Sequence, residues 1–417
     1  MNKTTKHNIT VTSSAAEKSQ PRVPKLRFKE FEGEWEERKL KDFTKINQGL
    51  QIAIAERFME EAEGLHFYIT NEFLRAGSTK KYFIKNPTES VLCNEDDILM
   101  TRTGNTGQVV TGVKGAFHNN FFKIKFDSDC DKWFLYYFLT DYKTQHTIMK
   151  LAGTSTIPDL NHGDFYRLKI NLPNLPEQQK IANFLTEVDT KLQQLTTKKE
   201  ALEKYKKGVM QQLFSQQLRF KADDGSDFAD WEEKRLGEVA TFLKGRNISK
   251  ADIVENGTLE CIRYGELYTE YAELISNIKS KTNLRAEDLV LSESNDVIIP
   301  ASGETQIDIA TASCVLKSGV ALGGDLNIIR TKIDGVFLSY YLNNKKKFDI
   351  ARLSQGISVV HLYSSQLKTL KLELPSLKEQ QKIATYLSAI DLKIEAVQTQ
   401  LTKTQAFKKG LLQSMFV

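Results

Sequence analysis

Four groups of residues in this chain have the types that bond-making chemistry needs, and each lacks part of the pattern. Pro158-Asp159 followed by Asp164 and Lys169 offers the acids and lysine of a metal-dependent nuclease, but a lone Pro-Asp is a common dipeptide. Asn86-Pro87-Thr88-Glu89 begins like an amino-methylation loop, (N/D)PP(Y/F), yet lacks the second proline and the aromatic. Lys207-Gly208 and Lys409-Gly410 hold the residues of a phosphate loop in the wrong order for GxxxxGK[ST]. His7, His66, His118, His146, His162 and His361 are scattered, without HExxH or Cys/His ligand spacing. No catalytic residue and no metal ligand is expected. What remains is two polar, glycine-containing loops, each just after an apolar run: Thr101-Arg102-Thr103-Gly104-Asn105-Thr106-Gly107 and Ala301-Ser302-Gly303-Glu304-Thr305-Gln306. Their chemistry is hydrogen bonding, the chemistry of recognition. The competing reading is that the glycines only make turns.

Such loops need a frame, and composition bounds it. A chain of 417 residues, 40% apolar and 27% charged, is too long for one ordinary core, so two or more domains are expected. No apolar run approaches the roughly 18 residues of a membrane helix. The start of the chain has no secretory apolar stretch, and residues 1–24, polar and unpatterned, are expected to be a disordered leader. Cys93, Cys130, Cys261 and Cys314 stand far apart with no CxxC, which fits a reduced cytoplasm. A net charge of +5 is low for binding nucleic acid by phosphate neutralisation alone. Any such binding should come from placed patches. Residues 25–171 and 217–373 carry short alternating runs of β-branched and aromatic residues, among them 121–126 and 296–300, and each is expected to fold as a mixed α+β domain.

The remaining segments are copies of one another. Residues 172–215 align with 374–417 without a gap, and 18 of the 44 positions are identical. The identities include Glu177-Gln178-Gln179-Lys180-Ile181-Ala182 against Glu379-Gln380-Gln381-Lys382-Ile383-Ala384, and Lys206-Lys207-Gly208 against Lys408-Lys409-Gly410. Weaker islands lie upstream: Leu26-Arg27-Phe28-Lys29 recurs as Leu218-Arg219-Phe220-Lys221, Trp35-Glu36-Glu37 as Trp231-Glu232-Glu233, and Phe134-Leu135-Tyr136-Tyr137 as Phe337-Leu338-Ser339-Tyr340. This is internal duplication. Apolar residues at alternating four- and three-residue steps (Ile181, Leu185, Val188, Leu192, Leu195; Ile383, Leu387, Ile390, Ile394, Val397) predict two long helices with a coiled-coil seam. Antiparallel pairing of the two is expected. The alternative is that each packs separately on its own domain. Lys199, polar where the other copy has Leu401, is the expected orientation signal.

Two dissimilar domains, each followed by an LPxLxEQQKIA helix, resemble the specificity subunit of Type I restriction–modification systems over about residues 25–417. The resemblance implies an α+β fold with two strand-rich target-recognition domains, 25–171 and 217–373, separated by two long antiparallel coiled-coil helices, 172–216 and 374–417, in a pseudo-twofold repeat. It implies a non-catalytic subunit in which each domain reads half of a bipartite double-stranded DNA site. The helices would set the spacer and dock two methyltransferase subunits, with restriction/translocase subunits joining through the complex. S-adenosylmethionine, ATP and Mg would be bound by those partners and no cofactor by this chain. ASGETQ departs from the GxxG spacing of the first loop.

Base edges are read by Arg on guanine and by Asn or Gln on adenine, with Ser and Thr on either or on phosphate. The candidates in the first domain are Gln51, Arg102, Thr103, Asn105, Thr106, Asn119, Asn120, Thr154, Ser155 and Thr156. In the second they are Arg246, Asn247, Arg263, Ser302, Glu304, Thr305, Gln306, Gln355 and Ser358. Glu177, Gln178, Lys180, Glu379, Gln380 and Lys382 are the candidates for partner docking. The competing functions are a coiled-coil adaptor that binds only proteins, and a self-contained methyltransferase or nuclease with divergent motifs.

Overall fold

The computed structural model describes residues 22–75, 77–154, 156–356 and 359–417. The expected leader lies outside them except at its end, where the Arg22 carbonyl accepts from Trp35 N at 2.9 Å and Pro24 is buried. The chain forms two compact units, one of residues 22–194 with 401–417 and the other of residues 195–400. The division cuts both long helices rather than falling between domain and helix.

Short apolar runs, buried along most of their length in the central strands, set the sheets. The two domains order them alike apart from an added edge strand, Leu274–Ile275, in the second. In the first, Thr44–Gln48 pairs antiparallel with Phe121–Phe126, which pairs with Ile98–Thr101 and then Val109–Val110. In the second, Ala240–Lys244 pairs with Leu326–Thr331, which pairs with Asp296–Pro300 and then Ser313–Val315. A second, four-stranded sheet lies in each: Phe83–Lys85, Leu65–Ile69, Gly115–Phe117 and Leu92–Cys93; and Ser280–Thr282, Leu259–Ile262, Ala321–Leu322 and Val290–Leu291. Pairing asks for buried apolar runs, not particular side chains, so domains that share little sequence keep one strand order.

Each domain closes on a two-stranded ribbon that joins its entry to its exit. Glu36–Lys39 pairs with Lys169–Leu172 and Glu232–Arg235 with Lys371–Leu374, antiparallel. A proline follows each exit strand, and the long helices start two residues later: Leu175–Phe214, of 40 residues, and Leu377–Met415, of 39. In the first unit Ile181, Ala182, Leu185 and Val188 share a core with Leu411, Met415, Phe416 and the domain's Phe134 and Tyr137. In the second, Ile383, Ala384, Leu387 and Ile390 share a core with Val209, Leu213, Phe214, Phe337 and Tyr340. Within each unit, then, the start of one helix packs beside the end of the other, antiparallel. The alternative of separate packing does not hold. Lys199 pairs with Glu203 one turn along its own helix, at 3.5 Å.

All four cysteines are buried and free. Burial pushes the thiols up, to about 11 at Cys93 and Cys261 and about 12 at Cys130 and Cys314, with carboxylates nearby adding to the shift. The thiolate is the nucleophile. At pH 8 a maleimide should therefore label less than about a tenth of these thiols in the native chain, and all of them in guanidinium. Fast labelling of the native protein, read by intact mass, would show that the cores open.

Candidate nucleic-acid interface

In the first domain four separate stretches meet beyond the ends of the strands. Gly49 follows the first strand, where an added Cβ would overlap the Phe117 and His118 carbonyls. Only glycine lets Leu50 bridge to His118 there, with Leu50 N donating to Phe117 O at 3.1 Å and Asn119 N to Leu50 O at 3.0 Å. This sets Gln51 beside Asn119, whose Nδ2 donates to Gln51 Oε1 at 3.1 Å. Arg102 N donates to Asn120 O at 2.7 Å, bringing the 102–107 loop to the same place. Gly104 and Gly107 both hold left-handed φ values, 89° and 88°, so the turns need them whatever else the loop does.

The fourth stretch is 156–159. Asp159 takes a hydrogen bond from Thr103 and an ion pair from Arg102 at 2.6 Å, and Thr106 Oγ1 donates to Pro158 O at 2.6 Å. Desolvation raises the Asp159 carboxyl, but the Thr103 and Arg102 contacts outweigh it and hold the group below the ordinary carboxylate range. The acid of the faint nuclease pattern is therefore a clamp on the loop. Thr106 itself is 8% exposed and is structural, a correction to its place among the reading residues. Asn105, Thr154 and Thr156 are exposed; Ser155 lies outside the described residues.

The cluster is short of hydrogen bonds. Among the described residues five buried side-chain polar atoms have no partner, and three of them, Asn71 Oδ1, Arg102 Nε and Asn119 Oδ1, lie here. Asn71, which no sequence argument singled out, donates its Nδ2 to Thr103 O at 3.0 Å. Buried polar groups are ordinarily satisfied.

The second domain repeats the arrangement with different side chains. Gly245 occupies the place of Gly49, and a Cβ there would overlap the Leu322 and Gly323 carbonyls. Arg246 bridges to Gly323, and Asn247, the counterpart of Gln51, is exposed beside Gly324. A cleft of about 700 Å³ gathers Asn247, Arg263, Lys250, Lys279 and Asp325. Arg263 is held by Glu266 at 3.0 Å, and Ser280 donates to the same carboxylate at 2.6 Å. Arg246 Nη1 donates to Asp288 O at 2.9 Å. The 301–306 loop joins through Ala301 N, which donates to Asp325 O at 2.7 Å.

Within that loop the expected side chains divide. Ser302 is 9% exposed and sits in a strand pair with His361, so it too is structural. Thr305 caps the turn of helix Gln306–Ile309, accepting from Asp308 N at 3.1 Å. Glu304, Gln306 and Gln355 are exposed. Ser358 lies outside the described residues.

The six docking candidates fare differently. Glu177 and Glu379 are fully buried, and Gln178 and Gln380 are 1% and 5% exposed. Arg27 reaches both oxygens of Glu177, at 2.7 and 2.8 Å, and Trp35 Nε1 adds a third donor at 3.3 Å. Arg219 does the same to Glu379 at 3.1 and 2.9 Å. Gln178 accepts from Asp131 N at 2.8 Å and Gln380 from Asp334 N at 2.9 Å; these two aspartates cap the helices Lys132–Thr140 and Gly335–Asn344. These four residues bolt helix to domain and offer nothing to a partner, which corrects the expectation. Lys180 and Lys382 keep outward positions, paired with Glu30 at 3.5 Å and Asp223 at 2.6 Å.

Two recognition-type loop clusters on one strand order, each bolted to a long helix, define a two-domain binding protein. Comparison with known proteins gives the family. The Type I restriction modification DNA specificity domain matches twice, over residues 32–204 and 229–404, and the chain belongs to that family. A curated relative, the MjaVIII specificity subunit of a Type I restriction enzyme from Methanocaldococcus jannaschii, is 29% identical over 411 residues, covering 92% of this chain and 94% of the relative. The putative MjaX specificity subunit of the same organism is 28% identical over 291 residues, covering 68% and 66%. In fold, the S subunit of a Type I system from M. genitalium superposes with a TM-score of 0.64 at 18% identity, covering 95% of this chain and 99% of that one. The chain is a specificity subunit, a non-catalytic recognition component of a Type I restriction–modification system. Among the described residues no group of His, Cys, Asp and Glu is placed to hold a metal, and no helix is long and apolar enough to cross a membrane.

Proposed function

We propose that each domain reads one half of an asymmetric, two-part double-stranded DNA site through its loop cluster, and that the paired helices set the number of unread base pairs between the halves. One observation carries this: the loops stand at matching places in one strand order but present different side chains, Gln51 against Asn247, Arg102 against Ala301 and Thr70 against Arg263. Equal placement with unequal chemistry fits two half-sites of different sequence read in one geometry. The arginines are already paired with Asp159 and Glu266, which holds each fork in a defined direction before DNA arrives. Two methyltransferase subunits dock on the outer faces of the helices around Lys180 and Lys382, and restriction/translocase subunits join through the complex. These partners, in the cytoplasm, supply S-adenosylmethionine, ATP and Mg. A protein-only adaptor would give no reason for exposed Asn105 and Asn247 on matching loop clusters of the two domains.

Methylome sequencing of the host with and without this gene tests the reading. The expected result is one two-part motif with a fixed spacer that disappears in the deletion. An unchanged methylome, with the partner genes expressed, would sink it.

A further inference from the structure

Each long helix carries an aspartate and, seventeen residues later, a lysine: Asp189 and Lys206 on the first, Asp391 and Lys408 on the second. In the first unit Lys408 meets Asp189 at 2.5 Å, and the buried Tyr137 donates its hydroxyl to the same carboxylate at 2.8 Å. The ammonium lies 5.3 Å from the Tyr137 ring centroid. In the second unit Lys206 meets Asp391 at 2.7 Å, the buried Tyr340 donates to Asp391, and the ammonium lies 5.0 Å from the Tyr340 ring. In the first unit a hydroxyl one turn earlier joins the group: Thr186 lies 3.3 Å from the Tyr137 hydroxyl. Each triad joins three segments: the domain's helix Lys132–Thr140 or Gly335–Asn344, the long helix that follows that domain, and the far part of the other long helix.

An apolar seam by itself tolerates slippage, because a shift of one heptad puts apolar residues opposite apolar residues again. The triads do not. Their charged side chains are only 15–35% exposed, and a heptad slip carries each ammonium about 10 Å along the helix from its carboxylate. Each partly buried ammonium then loses its carboxylate, Lys206 losing Glu273 at 3.1 Å as well, and each aspartate keeps only its tyrosine hydroxyl, which is unfavourable. Equal spacing of seventeen residues on both helices means that one antiparallel register closes both triads and any other opens both. The tyrosines tie that register to the domains. We propose that these two Tyr-Asp-Lys triads are register latches that fix the spacer length at which the half-sites are read. The proposal rests on the reading of a two-part site given above.

The test uses the full chain assembled with its methyltransferase partners and reads the distribution of spacer lengths among methylated sites. Lys206→Met with Lys408→Met keeps the apolar stems and removes both ammonium groups. The same half-sites should then appear at more than one spacer length, with off-length methylation at least tenfold above wild type. Each single variant should show a smaller spread, and serves if the double variant fails to fold. Exchanging the partners, Asp189→Lys with Lys408→Asp in an otherwise wild-type chain, should narrow the distribution relative to Asp189→Lys alone. Variants that methylate less but at the wild-type spacing would overturn the latches and leave the two-part reading standing. A wild-type methylome without a two-part motif would overturn both.

Discussion

Glu177→Ala should destabilise the first unit by about 3–5 kcal/mol, the range for breaking a buried charge pair by removing one partner. Arg27, 13% exposed at its side chain, would be left with a buried charge, and Trp35 would lose its acceptor. For a unit of this size the shift in Tm is on the order of 10 °C, measurable by scanning calorimetry. Glu379→Ala should cost less. Arg219 is 24% exposed and already lies 3.7 Å from Asp230, and Trp231 Nε1 has no partner among the described residues. The exposed neighbour Gln179→Ala should shift stability by no more than about 0.5 kcal/mol. Equal effects at Glu177 and Gln179 would show that the buried bolt is not what joins helix to domain. Methyltransferase assembly by Glu177→Ala, measured below its melting temperature, should be unimpaired, since the side chain faces no partner.

Arg102→Ala should relax the first half-site at one position and leave the second half-site and the spacer unchanged. A bidentate arginine–guanine contact discriminates by about 1–3 kcal/mol, or roughly 10- to 100-fold in binding. The salt dependence of binding should change little, in contrast to loss of a lysine that touches only phosphate. Asp159→Ala should act at the same position but more weakly, because Asp159 aims the guanidinium rather than touching the base. Titrating a set of single-base variants of the methylated site against the reconstituted complex measures both. A uniform loss across every base substitution would reassign Arg102 to backbone binding.

Much of the frame is legible in the sequence. The seam residues Ile181, Leu185, Val188, Ile383, Leu387 and Ile390 are buried where their spacing predicts, because helical periodicity is a local signal. The islands of upstream repetition also gain a reason: Arg27 and Arg219, and Tyr137 and Tyr340, recur because they hold the repeated Glu and Asp of the helices. The error over Glu177, Gln178, Glu379 and Gln380 has a physical cause. Charged and amide residues at a helix start are usually solvated, and only tertiary structure supplies the arginine that makes burial tolerable. The latches are not legible for a related reason: Lys206 and Lys408 are recognisable as copies, yet nothing local pairs a lysine with an aspartate on another helix. Of the recognition surface, the loops were legible, but not which side chains stay free. Thr106 and Ser302 face inward, and Asn71 comes from a segment far along the chain.

The first unit is assembled from both ends of the described chain. Leu26 N donates to Ser414 O at 2.9 Å, and Leu411, Met415 and Phe416 complete its core. The second unit is one continuous stretch. On the ribosome this reverses the order of completion. At about 5–20 residues per second, residues 401–417 follow residue 194 by on the order of 10–40 s, and until then Ile181, Leu185 and Val188 lack their cover. The domain made first is thus the last to be finished. A premature stop near residue 400 would leave the second unit whole and the first one open, a product with an exposed apolar stripe that quality control can recognise.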